Sequence, residues 1–429
     1  MPARRLSKDA LFRDLGYEPH TGQRAIHDSN ARFRIVACGT RFGKTLCAAM
    51  EALAAAMQPA ERSIGWIVGP TYDLADRVFR EIEIVVLEHL RHRLIAKKES
   101  ERRIILRNVA GGVSEIRAKS ADNSDSLLGE GLDFVIVDEA ARLKPRIWQS
   151  HLSQRLIDKK GWALLISTPH GRGWLYDLFR RGKDGADPDC QSWNMPSWTN
   201  PLLDPAIIEQ ERARLPERVF AQEYGAEFIE GSGAVFRSVR ECATGNWQEP
   251  VAGERYFAGL DLAKVEDYSV LTIVNRKREV VFLDRFHRLD WALQVARIRG
   301  AVLRFNKARV FVDSTGAGEP IYEVLCKERL NVEPYPFTAK SKSALIENLS
   351  LMLEQRRLVL PRPELAPELI DELESFEFSV TDQGNVRTGA PGGGHDDTVI
   401  SLALAAWAIR SDPAPFFIIR TNSLRGMRL

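Results

Sequence analysis

Cysteine is scarce in this chain. Cys38, Cys47, Cys190, Cys242 and Cys326 form no close pair and no C-x-x-C spacing, which argues against a disulfide scaffold or a thiolate zinc site and fits a reducing compartment. Long apolar runs are missing as well. The longest, near Val399 to Ile409, falls well short of the ~20 residues that span a bilayer and reads as a buried helix. Residues 1–14 carry basic side chains but no stretch apolar enough for a secretory signal, so a soluble intracellular protein without a membrane partner is expected. Charge of one sign is also lacking: 60 Lys and Arg against 58 Asp and Glu leave a net +2. That balance does not identify a nucleic-acid partner, and any DNA-binding surface is then a local basic stripe offset by acid elsewhere. Internal repeats and low-complexity segments are absent.

What the chain has is length for two domains of roughly 200 residues each. Its first half alternates short apolar segments, 33–37, 65–69, 134–138 and 163–167, with helix-like segments such as 45–57 and 74–94. Apolar strands bounded by helices predict an α/β domain with a mainly parallel sheet covered on both faces. Antiparallel edge strands are expected at 102–106 and 113–118, and an irregular connector rich in Gly, Asp, Pro and Trp at 180–205. Helices follow near 205–214 and 217–223. The glycines and proline between 231 and 253 mark a boundary. The second half opens with a three-stranded meander, 256–262, 268–275 and 280–286, turning at 275–278. Strands at 310–313 and 332–337 then alternate with helices near 291–305, 319–329, 343–356 and 364–375. A polar turn at 381–384 and a glycine-rich loop at 389–394 precede a last helix from about 396. The expected division is a first domain at 1–228 with a small linker subdomain at about 180–228, a linker at 229–252, a second domain at 253–412 and a tail at 413–429. The tail carries Arg420, Arg425 and Arg428 and is either without fixed structure or a partner-binding arm.

The most informative segment is Cys38-Gly39-Thr40-Arg41-Phe42-Gly43-Lys44-Thr45, between an apolar strand and a helix. It is a variant of G-x-x-x-x-G-K-[ST], with Cys38 at the first glycine. Gly43 lets backbone N–H groups approach phosphate oxygens, Lys44 reaches the β- and γ-phosphates, and the Thr45 hydroxyl binds Mg²⁺. The helix N-terminus adds a field that favours anions. About ninety residues on, Phe134-Val135-Ile136-Val137 ends in Asp138-Glu139. Asp138 is the candidate for the Mg²⁺ shell and Glu139 for polarising the attacking water. Two further readings stand open. Ser167-Thr168-Pro169 either senses the γ-phosphate and relays its loss or is a polar strand-end turn. Gln23, close behind Tyr17 and Pro19, either reads the adenine edge or is an exposed residue at a helix start.

The second half carries aspartates at the ends of apolar segments: Asp261 and Asp313 after strands, Asp396 and Asp397 at a helix start, with Asp267 where the chain turns back. Two strand ends and one helix start can converge on a point. Carboxylates there would hold two divalent ions, roughly 4 Å apart, against a phosphodiester. Hard oxygen ligands suit Mg²⁺ or Mn²⁺. Separate turn and N-cap aspartates are the ordinary alternative. His395 is either a water activator or a loop residue, and Lys340 and Lys342 either meet phosphate or are solvated. Arg285, Arg288, Arg297, Arg299 and Arg304 either form a basic face or an ordinary solvated one. With no base-reading motif, cutting is expected to tolerate sequence.

In their order, the Gln23 region, Arg41-Phe42-Gly43-Lys44-Thr45, Val137-Asp138-Glu139-Ala140, Ser167-Thr168-Pro169, Trp198-Thr199-Asn200-Pro201 and the later aspartates resemble the terminase large subunit of tailed phages. The resemblance spans nearly the whole chain. It implies an N-terminal P-loop (ASCE/RecA-like) ATPase domain and a C-terminal RNase H-like nuclease domain with a mixed sheet. It further implies ATP-driven translocation of double-stranded DNA into a procapsid, metal-dependent cutting of concatemers, and an Arg41 that contacts phosphate. A portal protein, a small terminase subunit and a pentameric ring are the implied partners, and the host cytoplasm the implied setting. One departure stands out: Leu128 occupies a position where relatives often have an arginine acting on a neighbour's ATP, with Arg117 and Arg142 as substitutes to test. The alternatives are a cellular helicase–nuclease or resolvase, which needs a second RecA-like domain, and an inactive assembly factor.

Overall fold

The computed structural model describes residues 6–229, 234–262, 268–314, 318–380, 386–389 and 395–410. Asp267, the segments 231–233, 381–384 and 390–394, and the tail 413–429, all of which figured in the expectations above, lie outside the described residues. Two units make up the chain, 1–233 with 378–387 and 234–377 with 388–429.

Consecutive residues such as Val135, Ile136 and Val137 are wholly buried, as strands covered on both faces require. The first unit builds on an eight-stranded sheet of β1 Phe33–Cys38, β2 Arg62–Gly69, β3 Leu94–Lys98, β4 Arg103–Arg107, β5 Val113–Ser120, β6 Phe134–Asp138, β7 Trp162–Ser167 and β8 Cys190–Met195. The strands run in the order β3-β4-β5-β2-β6-β7-β1-β8. From β5 to β8 every pair is parallel, and only β3 and β4 run against their neighbours. Helices α1 Lys8–Asp14, α2 Thr21–His27, α3 Lys44–Ala56, α4 Tyr72–His89, α5 Trp174–Lys183, α6 Pro205–Arg214 and α7 Glu217–Glu223 complete the unit.

Three expectations change. Residues 190–195, expected inside an irregular connector, form β8 at the sheet edge; the strand was hidden because Cys-Gln-Ser-Trp-Asn-Met shows solvent one face and so lacks a continuous apolar run. Residues 113–118 are not an edge but the interior strand β5, paired on both sides. The helix expected at 74–94 stops at His89, and Leu94 opens β3.

Helix α3 is buried almost throughout, including Glu51, which is 1% exposed. That carboxylate sits 2.6 Å from Arg34, 2.7 Å from His27 Nδ1 and 2.8 Å from Lys8 Nζ. Burial opposes ionisation, yet Arg34 and the other partners outweigh it and hold Glu51 far below the usual carboxylate range. Removing one partner from such a cluster leaves uncompensated buried charge, so Glu51→Ala is expected to destabilise the chain by about 3–5 kcal/mol. Denaturant unfolding followed by circular dichroism checks this; a loss below about 1 kcal/mol, that of a surface pair, contradicts it.

The second unit holds a five-stranded sheet ordered β12-β11-β10-β13-β14. Its members are β10 Tyr256–Asp261, β11 Ser269–Asn275, β12 Val280–Phe286, β13 Arg309–Asp313 and β14 Val332–Tyr335, with the short β9 Ala243–Gly245 preceding them. The meander β10-β11-β12 is antiparallel, whereas β13 and β14 run parallel to β10. Helices α8 Val239–Cys242, α9 Trp291–Arg304, α10 Gly318–Lys327, α11 Ala339–Glu354, α12 Pro367–Ser375 and α13 Asp397–Arg410 surround it. Two short pairs, β15 Leu360–Pro361 with β9 and β16 Glu377–Val380 with β17 Val386–Gly389, stand apart. The apolar run near 399–409 is the buried core of α13, and no helix among the described residues is long and apolar enough to cross a membrane. α13 lies directly on β10: a Cβ at Gly259 would come within 2.0 Å of the Ser401 carbonyl oxygen. The Ser401 hydroxyl is 2.8 Å from both the Gly259 carbonyl and the Thr272 hydroxyl. This contact sets where the first residues of α13 lie relative to the ends of β10 and β13.

Candidate functional site

In the first unit, β7 separates β1 from β6, and all three strands run parallel. Their C-terminal ends, Cys38, Asp138 and Ser167, therefore share one sheet edge; Asp138 pairs with Ile166 and Ala37 with Ser167 in register. The loop after β1 turns through Arg41 at φ 60° and Gly43 at φ 95°. The second value suits glycine, and it aims successive N–H groups at the start of α3 toward one point.

Lys44 Nζ lies 3.2 Å from Glu139 Oε1 and donates to Thr168 Oγ1 at 3.2 Å. Burial works against its charge, but Glu139, Cys38 and Asp138 outweigh it and raise its pKa above the ordinary lysine value. Asp138 is buried, its Oδ1 accepting from the Glu139 amide at 3.0 Å; burial first and then Glu139 push it up to about 6. Glu139 itself is held at φ 51°, a conformation that costs a non-glycine residue energy and clusters at functional positions. Of the Ser167-Thr168-Pro169 segment, Thr168 touches Lys44, while Ser167 Oγ accepts from the Ala141 amide at 3.2 Å and so braces the turn after Glu139. Thr45 follows in the first turn of α3, partly exposed.

Gln23 is neither exposed nor turned outward. It is 4% exposed, its Nε2 donates to the Gly43 carbonyl at 3.1 Å, and its Oε1 accepts from the His20 amide at 3.1 Å. His20 Nε2 in turn lies 3.0 Å from the Phe42 carbonyl. One side-chain end of Gln23 thus holds the phosphate loop at Gly43, while the other caps the start of α2 at His20. From the other side Ser197 Oγ donates to the Thr40 carbonyl at 2.6 Å and Asn200 Nδ2 to the Arg41 carbonyl at 2.9 Å. His20 and Ser197 were missed because nothing in their local sequence marks them; Asn200 belongs to the Trp198–Pro201 motif, which the sequence flagged without a role. Of the two substitutes for Leu128, Arg142 Nε lies 4.0 Å from Glu139 of its own chain. Arg117 is committed to Glu115 at 2.6 Å, inside the sheet. Leu128 is 54% exposed.

In the second unit Leu260 pairs with Val312, so Asp261 and Asp313 end adjacent parallel strands, and α13 starts at Asp397. Three of the carboxylates act on the fourth: burial first, then Asp397, Asp396 and Asp313, raise Asp261 well above its ordinary value, with Lys342 opposing. Among the described residues no three carboxylate, imidazole or thiol side chains already close around a point as a metal cluster does. The donor set is nonetheless all hard oxygen, and its mutual repulsion is what a divalent cation relieves. Lys342 is partly exposed and also paired, its Nζ 3.5 Å from Asp396 Oδ2; Lys340 is exposed. His395 Nδ1 stands 3.7 Å from Asp397 Oδ2.

A further layer was invisible in the sequence. Glu372 of α12 accepts from the Thr398 amide at 2.9 Å and from the Thr398 hydroxyl, capping the start of α13. Arg285 lies 3.5 Å from Glu372 and sits 3.6 Å over the Tyr268 ring, whose edge meets His395. Four of the five arginines of the candidate basic face have acidic partners, Arg285 with Glu372, Arg297 with Asp284, Arg299 with Glu328 and Arg304 with Glu249, and Arg288 is exposed.

Comparison with known proteins places both halves. Residues 35–241 match the family described as terminase large subunit, T4likevirus-type, N-terminal, and residues 258–407 match the terminase RNaseH-like domain. The terminase large subunit of Thermus virus P23-45 is 34% identical over 92% of this chain and 89% of its own length. That of Escherichia phage T5 is 25% identical over 87% and 86%. The solved structure of a large terminase from a thermophilic bacteriophage, 12% identical, shares the fold with a TM-score of 0.56 over 92% of this chain and 99% of its own.

Proposed function

The chain belongs to the phage terminase large-subunit family, a packaging ATPase joined to a nuclease, and from that premise we infer which residues do each job. The observation that carries the reading is the meeting of Lys44, Glu139 and Thr168 at the ends of three adjacent strands. Bound ATP places its phosphates against the amides of Gly39–Lys44 and the Lys44 ammonium. A γ-phosphate oxygen would take the place of Glu139 on Lys44, and the released carboxylate would orient a water and take its proton as the water oxygen bonds the γ-phosphorus and the bond to the β–γ bridging oxygen breaks, leaving ADP and phosphate. Thr168, sharing Lys44 with Glu139, registers whether that phosphate is present. Thr45 and Asp138 would hold Mg²⁺, which would supply charge neutralisation for the phosphates. Gln23, His20, Ser197 and Asn200 keep the loop in shape, and Arg41 meets phosphate.

In the second unit Asp261, Asp313, Asp396 and Asp397 would hold divalent metal, Mg²⁺ or Mn²⁺, which supplies Lewis-acid stabilisation at a phosphodiester. Lys342 sits where it can neutralise a backbone phosphate, and Glu372 fixes the pose of Asp396 and Asp397 by capping α13. The partners in general are DNA and the portal; the proposal extends to a ring of five copies on that portal and a small subunit that selects the DNA. We keep the domain division set out from the sequence as part of this reading, with the linker subdomain drawn back to the residues that follow β8. Among the described residues the second unit has a mixed sheet and no second phosphate loop, unlike a helicase.

The test is metal removal. The 429-residue chain is expected to nick supercoiled plasmid in Mg²⁺ or Mn²⁺ without ATP and to stop in EDTA, read on an agarose gel. Cleavage that persists in EDTA contradicts the carboxylate site.

A further inference from the structure

At the opposite edge of the first sheet from the phosphate loop lies a cavity of about 320 Å³, at the small end of the ~300–1,000 Å³ of ligand pockets. Lys8, Arg32, Arg34, Gln58, Lys160 and Trp162 contribute to its lining. Arg32 and Arg34 flank the start of β1 and Lys160 and Trp162 the start of β7, whereas the nucleotide residues follow the ends of those strands. Six residues of strand at ~3.3 Å each put about 20 Å between the two places. They are separate sites.

Four cations line this cavity. Against them stand Glu51, which Arg34, Lys8 and His27 already share, and Asp189, 3.9 Å from Arg32. The positive excess is built in, and part of it is buried: Arg34 is 3% exposed, and its Nε has no hydrogen-bond partner. The neutral polar lining is spent on the protein itself, as Gln58 exchanges two hydrogen bonds with the Leu6 backbone. Trp162 is no platform for a base, because Arg34 covers its ring at 4.4 Å and Phe134 stacks on it at 5.4 Å. Single-strand binders need a free aromatic face, and here none is offered. What remains is a positive, half-open pocket with no stacking surface.

We propose that this cavity is a second anion site, distinct from the ATP site, that binds a phosphate group through Lys160, Lys8 and Arg32. The phosphate comes either from a free phosphate compound or from the backbone of DNA, and the experiment separates these sources. With the phosphate loop saturated by a non-hydrolysable ATP analogue, radiolabelled pyrophosphate is expected to bind one further equivalent per chain, more weakly as salt rises. Lys160 is exposed, so Lys160→Glu should fold and hydrolyse ATP as the parent does, yet weaken pyrophosphate by about tenfold or more; Lys160→Arg should retain it. Displacement of the label by duplex DNA assigns the DNA backbone as the source, and no displacement assigns a free phosphate. Absence of the extra equivalent, or equal binding by Lys160→Glu, overturns the site.

Discussion

Replacing Glu139 by Gln is expected to lower ATP turnover by about 10²–10⁴-fold, the contribution of a positioned general base, while ATP binding stays near that of the parent. Glutamine keeps the shape that accepts φ 51° and still reaches Lys44 as an acceptor, but it cannot take a proton from water. Lys44, the loop amides and Asp138 are left in place, so the groups that hold phosphate and metal persist. Phosphate release measures the first quantity and titration with a fluorescent ATP analogue the second. Parallel loss of both would make Glu139 a structural partner of Lys44 and move the base elsewhere. Undiminished turnover would remove it from the chemistry altogether.

Asp261→Asn is expected to reduce DNA cleavage on the order of 10³-fold, since losing several kcal/mol of metal-borne stabilisation corresponds to about tenfold per 1.36 kcal/mol. The same change is expected to raise stability in EDTA. Burial, reinforced by Asp397, Asp396 and Asp313, raises the Asp261 pKa well above its ordinary 3.8. The folded chain therefore holds that proton more tightly than the unfolded chain. Its contribution to stability is greatest at low pH and is lost as pH rises from the unfolded value toward the raised folded one. Asparagine cannot ionise, so the variant should melt at or above the parent above about pH 7, with the gap closing toward about pH 4. Thermal melts in EDTA and plasmid nicking in Mg²⁺ give the two readouts. A variant that still cleaves, or one that melts lower at every pH, would mean that Asp261 is a structural residue and not a metal ligand.

Legibility differed between layers. The phosphate loop and Asp138-Glu139 were readable because each is a short contiguous segment, and the aspartates were readable as candidates because each ends an apolar strand or starts a helix. Thr168 was one of two open readings, and its contact with Lys44 brings it to the site. Gln23 was read as an adenine reader or a surface residue, and the fold makes it a clamp on Gly43. His20, Ser197 and Glu372 left no trace, since each acts through a backbone group far away in the chain. The acidic partners of Arg285, Arg297, Arg299 and Arg304, namely Glu372, Asp284, Glu328 and Glu249, were not legible because they are mostly remote in sequence. β8 escaped because an edge strand with one wet face has no apolar run to betray it.

By itself the sequence determined the two chemistries, the α/β class and the order of the parts, because hydrophobic periodicity and glycine-lysine turns are local properties of the chain. Only the tertiary structure decided which carboxylates crowd Asp261, which hydroxyl shares Lys44 with Glu139, and where surplus cations line a cavity. Those outcomes depend on strand order and on the close approach of α13 to Gly259, and distance in space is not written in distance along the chain.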